Sequence, residues 1–204
     1  MKAQLSKQIL RAASAVAVVS TLALGLGACA ANDPLASQFK AGDNKNYIQG
    51  DGTISEWAKA SRQAPVEWKG VLERGALLGS ANLTGVVTVL NFWYAGCAPC
   101  RAEAKDLLAL SKEFADQKVQ FIGVNVRDTA STAKAFERNF GMTYPSIIDN
   151  NTGSVVLAFT GIVSPQAVPT TLVIDKHGRV SSRILGRIEK GTLKALIETV
   201  VAEK

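Results

Sequence analysis

Val86-Val87-Thr88-Val89-Leu90-Asn91-Phe92-Trp93-Tyr94-Ala95-Gly96-Cys97-Ala98-Pro99-Cys100 is the stretch that decides the fold. A nearly unbroken apolar run, as expected of a strand buried on both faces, ends in two closely spaced thiols. After them, Ala104, Leu107, Leu108, Leu110 and Phe114 recur at helical spacing through Arg101 to Phe114. The thiols therefore fall where a strand ends and a helix begins. A thiolate there faces unpaired backbone N–H groups and the positive end of the helix dipole. Its pKa should fall, which makes it a nucleophile at neutral pH. The chemistry indicated is thiol–disulfide exchange. Cys97, read as the more exposed residue at the helix start, attacks a substrate disulfide, and Cys100, one turn in, resolves the mixed disulfide. Pro99 limits the backbone choices of the turn between them.

Outward from this segment, strand and helix alternate. Val119 to Asn125 reads as a second central strand. Ser131 to Phe140 is amphipathic, with Ser131 or Asp128 as N-cap and Gly141 as the stop. Pro145 to Asp149 reads as a short strand before a turn at Asn150 to Gly153. Thr171 to Asp175, the turn Lys176-His177-Gly178, and Arg179 to Leu185 read as a β-hairpin, and Glu189 to Ala202 as a closing helix. Upstream, Val66 to Trp68 and Val71-Leu72 flank Lys69-Gly70, which suggests an N-terminal hairpin. The fold class is α/β: a central mixed β-sheet flanked by helices.

The 204 residues, 47% of them hydrophobic, suffice for one well-buried domain with extensions. Lys2, Lys7 and Arg11 precede an apolar stretch, Ala12 to Ala28, broken by Ser14, Ser20 and Thr21 and short for a membrane span. Residues 1–28 read as a secretory signal. Without its three basic residues, 20 basic residues face 17 acidic ones, a net charge of +3. That balance, with no Lys/Arg stripe interleaved with aromatics, argues against nucleic acid. Leu26-Gly27-Ala28-Cys29 resembles the bacterial lipobox, in which the Cys receives a diacylglyceryl group and becomes the new N-terminus. Residues 29–62 then read as the lipidated Cys29 and a flexible tether, and 63–204 as the domain. With Cys29 used by lipid, Cys97 and Cys100 are the two cysteines left to the domain. In an oxidising exterior compartment such an isolated pair points to catalysis rather than to a structural staple.

A C-x-x-C pair also serves as half of a zinc site, but zinc needs two more Cys or His ligands. The single His, His177, lies far along the chain in an expected turn. No metal is therefore expected, and the cofactor is none beyond the Cys97–Cys100 redox pair.

Asn91 to Glu103 resembles the active-site segment of thioredoxin-fold proteins, closest to the membrane-anchored TlpA/ResA-like thiol–disulfide oxidoreductases of bacteria. Val168-Pro169-Thr170-Thr171-Leu172-Val173-Ile174-Asp175-Lys176-His177-Gly178 resembles that family's V-P-T-T-F-x-I-D-x-x-G segment. Asp128 to about Gly161 corresponds to the helix-and-strand insertion that separates this group from plain thioredoxin. The resemblance implies a thioredoxin fold with that insertion. It makes Pro169 a cis-proline beside the disulfide, with the backbone of Val168 open to an incoming peptide strand. Ala98 and Pro99 join Val168 and Pro169 in the implied substrate surface. Glu103 takes the place of the family's acidic residue near the buried cysteine and exchanges a proton with Cys100. Two departures stand out. Asn91 replaces the buried Asp of plain thioredoxin, which moves the proton-acceptor role toward Glu103 or water. Gly96 replaces the Trp before the first Cys, which opens the site to bulkier substrates. Phe92 and Trp93 read as core.

The resemblance implies an extracytoplasmic, lipid-anchored, monomeric protein-disulfide reductase of a Gram-positive bacterium. Its substrates would be exported disulfide-containing proteins such as apocytochrome c during cytochrome c maturation, its electrons drawn from a membrane dithiol donor. The same chemistry run forwards gives a disulfide oxidase or isomerase, which sequence barely separates from the reductase. A copper-binding lipoprotein would need a longer Cys spacing and a downstream His ligand, and a peroxidase a lone Cys in a P-x-x-x-T-x-x-C arrangement. This chain has neither pattern.

Overall fold

The structure, a computed structural model, describes residues 54–164 and 167–203. In chain order its strands are β1 (Ile54–Glu56), β2 (Lys69–Val71), β3 (Leu77–Gly79), β4 (Val87–Trp93), β5 (Val119–Asn125), β6 (Ser146–Ile148), β7 (Thr170–Ile174) and β8 (Val180–Leu185). Its helices are α1 (Ala98–Glu113), α2 (Ala130–Phe140), α3 (Ser154–Ala158) and α4 (Lys190–Val201). β1 and β4 to β8 form one six-stranded sheet in the order β1-β8-β7-β4-β5-β6. β4, β5 and β6 run parallel, and β7, β8 and β1 add antiparallel. This is the thioredoxin fold, a mixed sheet with helices on both faces. Central β4 is buried along its whole length, as its apolar run requires. Leu90 and Phe92 point to one face, packed with Trp68, Ile147 and Phe159. Asn91 and Trp93 point to the other, toward α1.

The elements from Val86 onward lie where the sequence places them, within a few residues, except for the short helix α3, which the sequence reading did not place. Three boundaries differ for identifiable reasons. First, the domain begins at or before Ile54 rather than at 63. Ile54, Ser55 and Glu56 pair with Ile184, Arg183 and Ser182 of β8. Beyond them Arg62 is buried, with Nη1 3.0 Å from Asp175 Oδ2 and 2.7 Å from Glu203 Oε2. Residues 54–62 are thus part of the domain, not tether. Second, the N-terminal hairpin exists, but Lys69-Gly70 belongs to its first strand. The reversal falls at Leu72–Ala76, closed by Leu72 N–H to Ala76 O at 2.8 Å, with Gly75 at φ 88°. Gly70 has a packing role instead, since a Cβ there would lie 2.3 Å from Ile147 Cγ2. Third, α2 is capped by Thr129, whose Oγ1 accepts from Thr132 N–H, and not by Ser131 or Asp128. Gly141 ends that helix at φ 67°, as expected.

The expected signal segment, Cys29 and the tether up to residue 53 lie outside the described residues. Among the described residues, no helix is long and apolar enough to cross a membrane.

Candidate active site at the head of helix α1

Strand β4 ends at Trp93, at the carboxyl end of the central strands, and α1 starts at Ala98 with Cys97 as its N-cap. Cys97 Sγ accepts the Cys100 backbone N–H at 3.2 Å, the capping role a Ser or Asp oxygen more often plays. This is the local reason for a thiolate to be stabilised: it sits on an orphan N–H at the positive end of a sixteen-residue helix. Cys97 and Cys100 are joined as a disulfide. Contrary to the sequence expectation, Cys97 is not the more exposed sulfur residue; both cysteines are 3% exposed. Their surroundings distinguish them instead. Gly96, Ala98 and Pro99 around Cys97 are exposed, while Cys100 faces inward with Ala104, Trp93 and Phe136. Gly96 stands beside the Tyr94 ring, 3.5 Å from where a Cβ would lie.

The loop carrying the pair is held from β5. Asp128 Oδ2 accepts the Ala95 backbone N–H at 2.6 Å and Asn125 Nδ2–H at 2.8 Å. Asn125 Oδ1 in turn accepts the N–H groups of Arg127 and Asp128. Asp128 is therefore a positioning residue for the dithiol loop, a role its reading as a helix cap missed.

The Val168–Pro169 peptide is cis, with Pro169 buried and Val168 half-buried. Val168 O lies 4.0 Å from Cys97 Sγ. Val168 is thus brought to the Cys97 sulfur, beside the exposed Ala98 and Pro99 that follow Cys97 in the chain. Below Pro169, Asp175 Oδ1 accepts from His177 and Arg179 N–H at 2.9 and 3.0 Å, which sets the tight β7–β8 turn. His177 itself is exposed in that turn.

Glu103 lies one turn beyond Cys100 and is 0% exposed. Its Oε1 accepts from Asn91 Nδ2 at 2.8 Å and its Oε2 from Ile188 N–H at 2.9 Å. Asn91 also donates to Thr171 Oγ1 at 3.1 Å. Burial pushes the Glu103 carboxyl up to about 7, against the Ile188 and Asn91 hydrogen bonds and the Arg187 charge, with Asp106 adding to the rise. A carboxyl poised there can give and take protons at neutral pH. Asn91, in the place of an acid, holds Glu103.

A second polar group behind Cys100 escaped the sequence reading. Glu137, Tyr144 and Ser146 line a small cavity with Cys100, Asn91 and Trp93. One signal was available: Glu137 is four residues after buried Ala133, so it falls on the apolar stripe of α2. Among the described residues no three His, Cys, Asp or Glu side chains gather as a metal-ligand set.

A thioredoxin-fold domain with a buried disulfide at a helix N-terminus, a cis-proline beside it and a buried carboxyl behind it is the class these features define. The chain belongs to the AhpC/TSA family, whose model matches residues 63–183. It is 35% identical over 111 residues to the thiol–disulfide oxidoreductase ResA of Geobacillus thermodenitrificans, covering 54% of this chain and 61% of that one. It is 29% identical over 155 residues to the thiol:disulfide interchange protein HelX of Rhodobacter capsulatus, covering 76% and 84%. The match thus spans just under two thirds of that ResA sequence. Among solved structures, a DsbF homologue from Corynebacterium diphtheriae superposes with a TM-score of 0.66 at 30% identity, covering 75% of this chain and 96% of that one. A secreted thiol–disulfide isomerase from Corynebacterium glutamicum gives 0.69 at 29% identity, covering 77% and 97%. These relatives bear out the TlpA/ResA-like resemblance.

Proposed function

We propose that the chain is a thiol–disulfide oxidoreductase working outside the cytoplasm, in the reducing direction. The observation that carries the exchange chemistry is Cys97 Sγ on the N-terminal N–H of α1, bonded to Cys100 and next to exposed Ala98 and Pro99, with Val168 O 4.0 Å away. Cys97 attacks the substrate disulfide while an extended substrate segment lies along Val168, and Cys100 closes the mixed disulfide with Glu103 taking its proton. The Cys97–Cys100 pair is the redox centre, with no other cofactor. The substrates are exported proteins with disulfides, apocytochrome c among them, and the electrons come from a membrane dithiol donor. Cys29 carries the lipid that holds the monomer on the outer face of a Gram-positive cell membrane. The relatives named ResA and HelX support the exchange chemistry. The similarity to a structure titled a secreted thiol–disulfide isomerase favours, as second reading, an isomerase or oxidase for exported proteins.

Two measurements test this. A Cys100→Ser variant should retain substrates on Cys97 as mixed disulfides, and better trapping by Cys97→Ser would reverse the two roles. A redox titration against glutathione should give a potential near thioredoxin's, about −270 mV. A value near about −120 mV, as in strong oxidants, would move the protein to the second reading.

A further inference from the structure

Glu103 and Cys100 are both buried, and their protons have to reach solvent in each catalytic cycle. The small cavity behind Cys100 offers the route. It is walled by Cys100, Asn91 and Trp93 on one side and by Glu137, Tyr144 and Ser146 on the other. Its volume of about 10 Å³ is on the order of what one water molecule occupies. Tyr144 Oη and Glu137 Oε1 are both buried, and neither meets a hydrogen-bond partner within the protein. Orphaned polar atoms are costly, so two of them on the wall of one water-sized cavity point to a bridging water. Glycine at 123 keeps that wall clear: a Cβ there would lie 2.4 Å from Ser146 Oγ and 2.6 Å from Trp93 Nε1.

We propose that Tyr144 and Glu137 relay protons between Cys100 and solvent through this cavity. This rests on the exchange activity proposed above. In the resolution step the Cys100 thiol releases its proton and the thiolate attacks Cys97 Sγ. The Cys97–Cys100 bond forms, and the substrate sulfur leaves as a thiolate with the electron pair of the broken bond. Glu103, which faces Tyr144, first takes the released proton, and the proton then leaves through the water that bridges Tyr144 Oη and Glu137 Oε1 to the Glu137 carboxylate. Glu137 is half-buried and hands the proton out beside exposed Lys134 and Arg74. The groups that face the relay are few. Glu103 of α1 faces Tyr144. Ser146 of β6, Glu73 and Arg74 of the β2–β3 turn, and Lys134 of α2 itself face Glu137. Burial first, then the Glu73 charge, raise the Glu137 carboxyl above its ordinary range against the Ser146 hydrogen bond, which strengthens its hold on a proton.

The test uses the full chain with Cys29→Ser in every sample, so that Cys97 and Cys100 are the two thiols present. Reduced protein is mixed with oxidised glutathione, and formation of the Cys97–glutathione disulfide and release of the second glutathione are followed separately against pH. Tyr144→Phe and Glu137→Gln should each slow release about tenfold, short of the 10²–10⁴-fold of a direct general base. Both should leave the first attack unchanged and shrink the solvent deuterium isotope effect on release. Tyr144→Phe removes a single oxygen, so its far-ultraviolet dichroism and melting curve should match the parent. Release, pH profile and isotope effect unchanged in both variants would overturn the relay alone. A parent chain that never releases glutathione would overturn the exchange reading, and the relay with it.

Discussion

Replacing Glu103 by Gln isolates one buried carboxyl whose effect on stability has a definite sign. In the folded chain burial holds Glu103 up to about 7, against an ordinary 4.5. The folded state therefore binds this proton more tightly than the unfolded state does. Between about pH 4.5 and 7 the native protein holds a proton the unfolded chain has lost, so its stability falls as pH rises through that window. The rise from 4.5 to about 7 corresponds to roughly 3 kcal/mol, present in full below about pH 4.5 and lost above about pH 7. Gln fits the site sterically. Ile188 N–H can still donate to its oxygen, and a flipped Asn91 amide, held by the Thr171 hydroxyl, can accept from its nitrogen. Urea denaturation of both proteins from pH 4.5 to 8 is the assay. The difference in stability between parent and Glu103→Gln should change by about 3 kcal/mol across the range, the parent losing ground as pH rises. A difference that stays level would refute the claim that burial governs this carboxyl. In the same variant, closure of the mixed disulfide by Cys100 should slow by about 10²-fold or more, with attack by Cys97 intact.

Removing the Arg62 side chain as Arg62→Ala should cost about 3 kcal/mol in chemical denaturation, because Asp175 would lose a buried ion-pair partner. Asp175 is held below its ordinary value despite its burial by the Arg179 and His177 N–H groups and the Arg62 and Arg179 side chains. Its contribution is therefore complete above about pH 4 and disappears as pH falls through its lowered value, which acid titration of Asp175→Asn against the parent would show as a lost slope. Asp128→Ala should cost about 2 kcal/mol by freeing the Ala95 N–H, and amide exchange should speed up in the Tyr94–Cys97 loop first. Gly70→Ala should cost about 1–3 kcal/mol through overpacking against Ile147, and an unchanged melting curve would show that β2 moves freely there.

The parts of this molecule that announce themselves in sequence depend on periodicity and on turn chemistry. Val87–Trp93 and Val119–Asn125 read as strands because both faces are apolar, and Gly141 as a stop because only a left-handed residue closes α2 there. The thiol pair and Val168-Pro169 were legible as motifs, and the structure brings them within 4.0 Å. What stayed hidden depends on distant partners. Ile54–Glu56 has no pattern of its own and becomes a strand because β8 offers an edge. Gly70 looks like a turn residue until Ile147 is placed against it. Cys97 looked exposed because it opens a helix, yet its neighbours enclose it to 3%. Glu137 and Tyr144 lie on different elements, and only the fold turns them toward Cys100.

Pairing of β1 with β8 has a bearing on what the protein avoids touching. A sheet is at risk of pairing with foreign chains, since any open edge is a row of unsatisfied donors and acceptors. Here one margin is β1, only three residues long and paired with β8 on its inner side. The other margin, β6, is three residues long and is bridged by Leu72 at Ile147. Both margins are thus short, which limits the stretch of backbone open to a stray strand. Protection against unwanted pairing thus begins with the length of the sheet's margins, before any side chain is read.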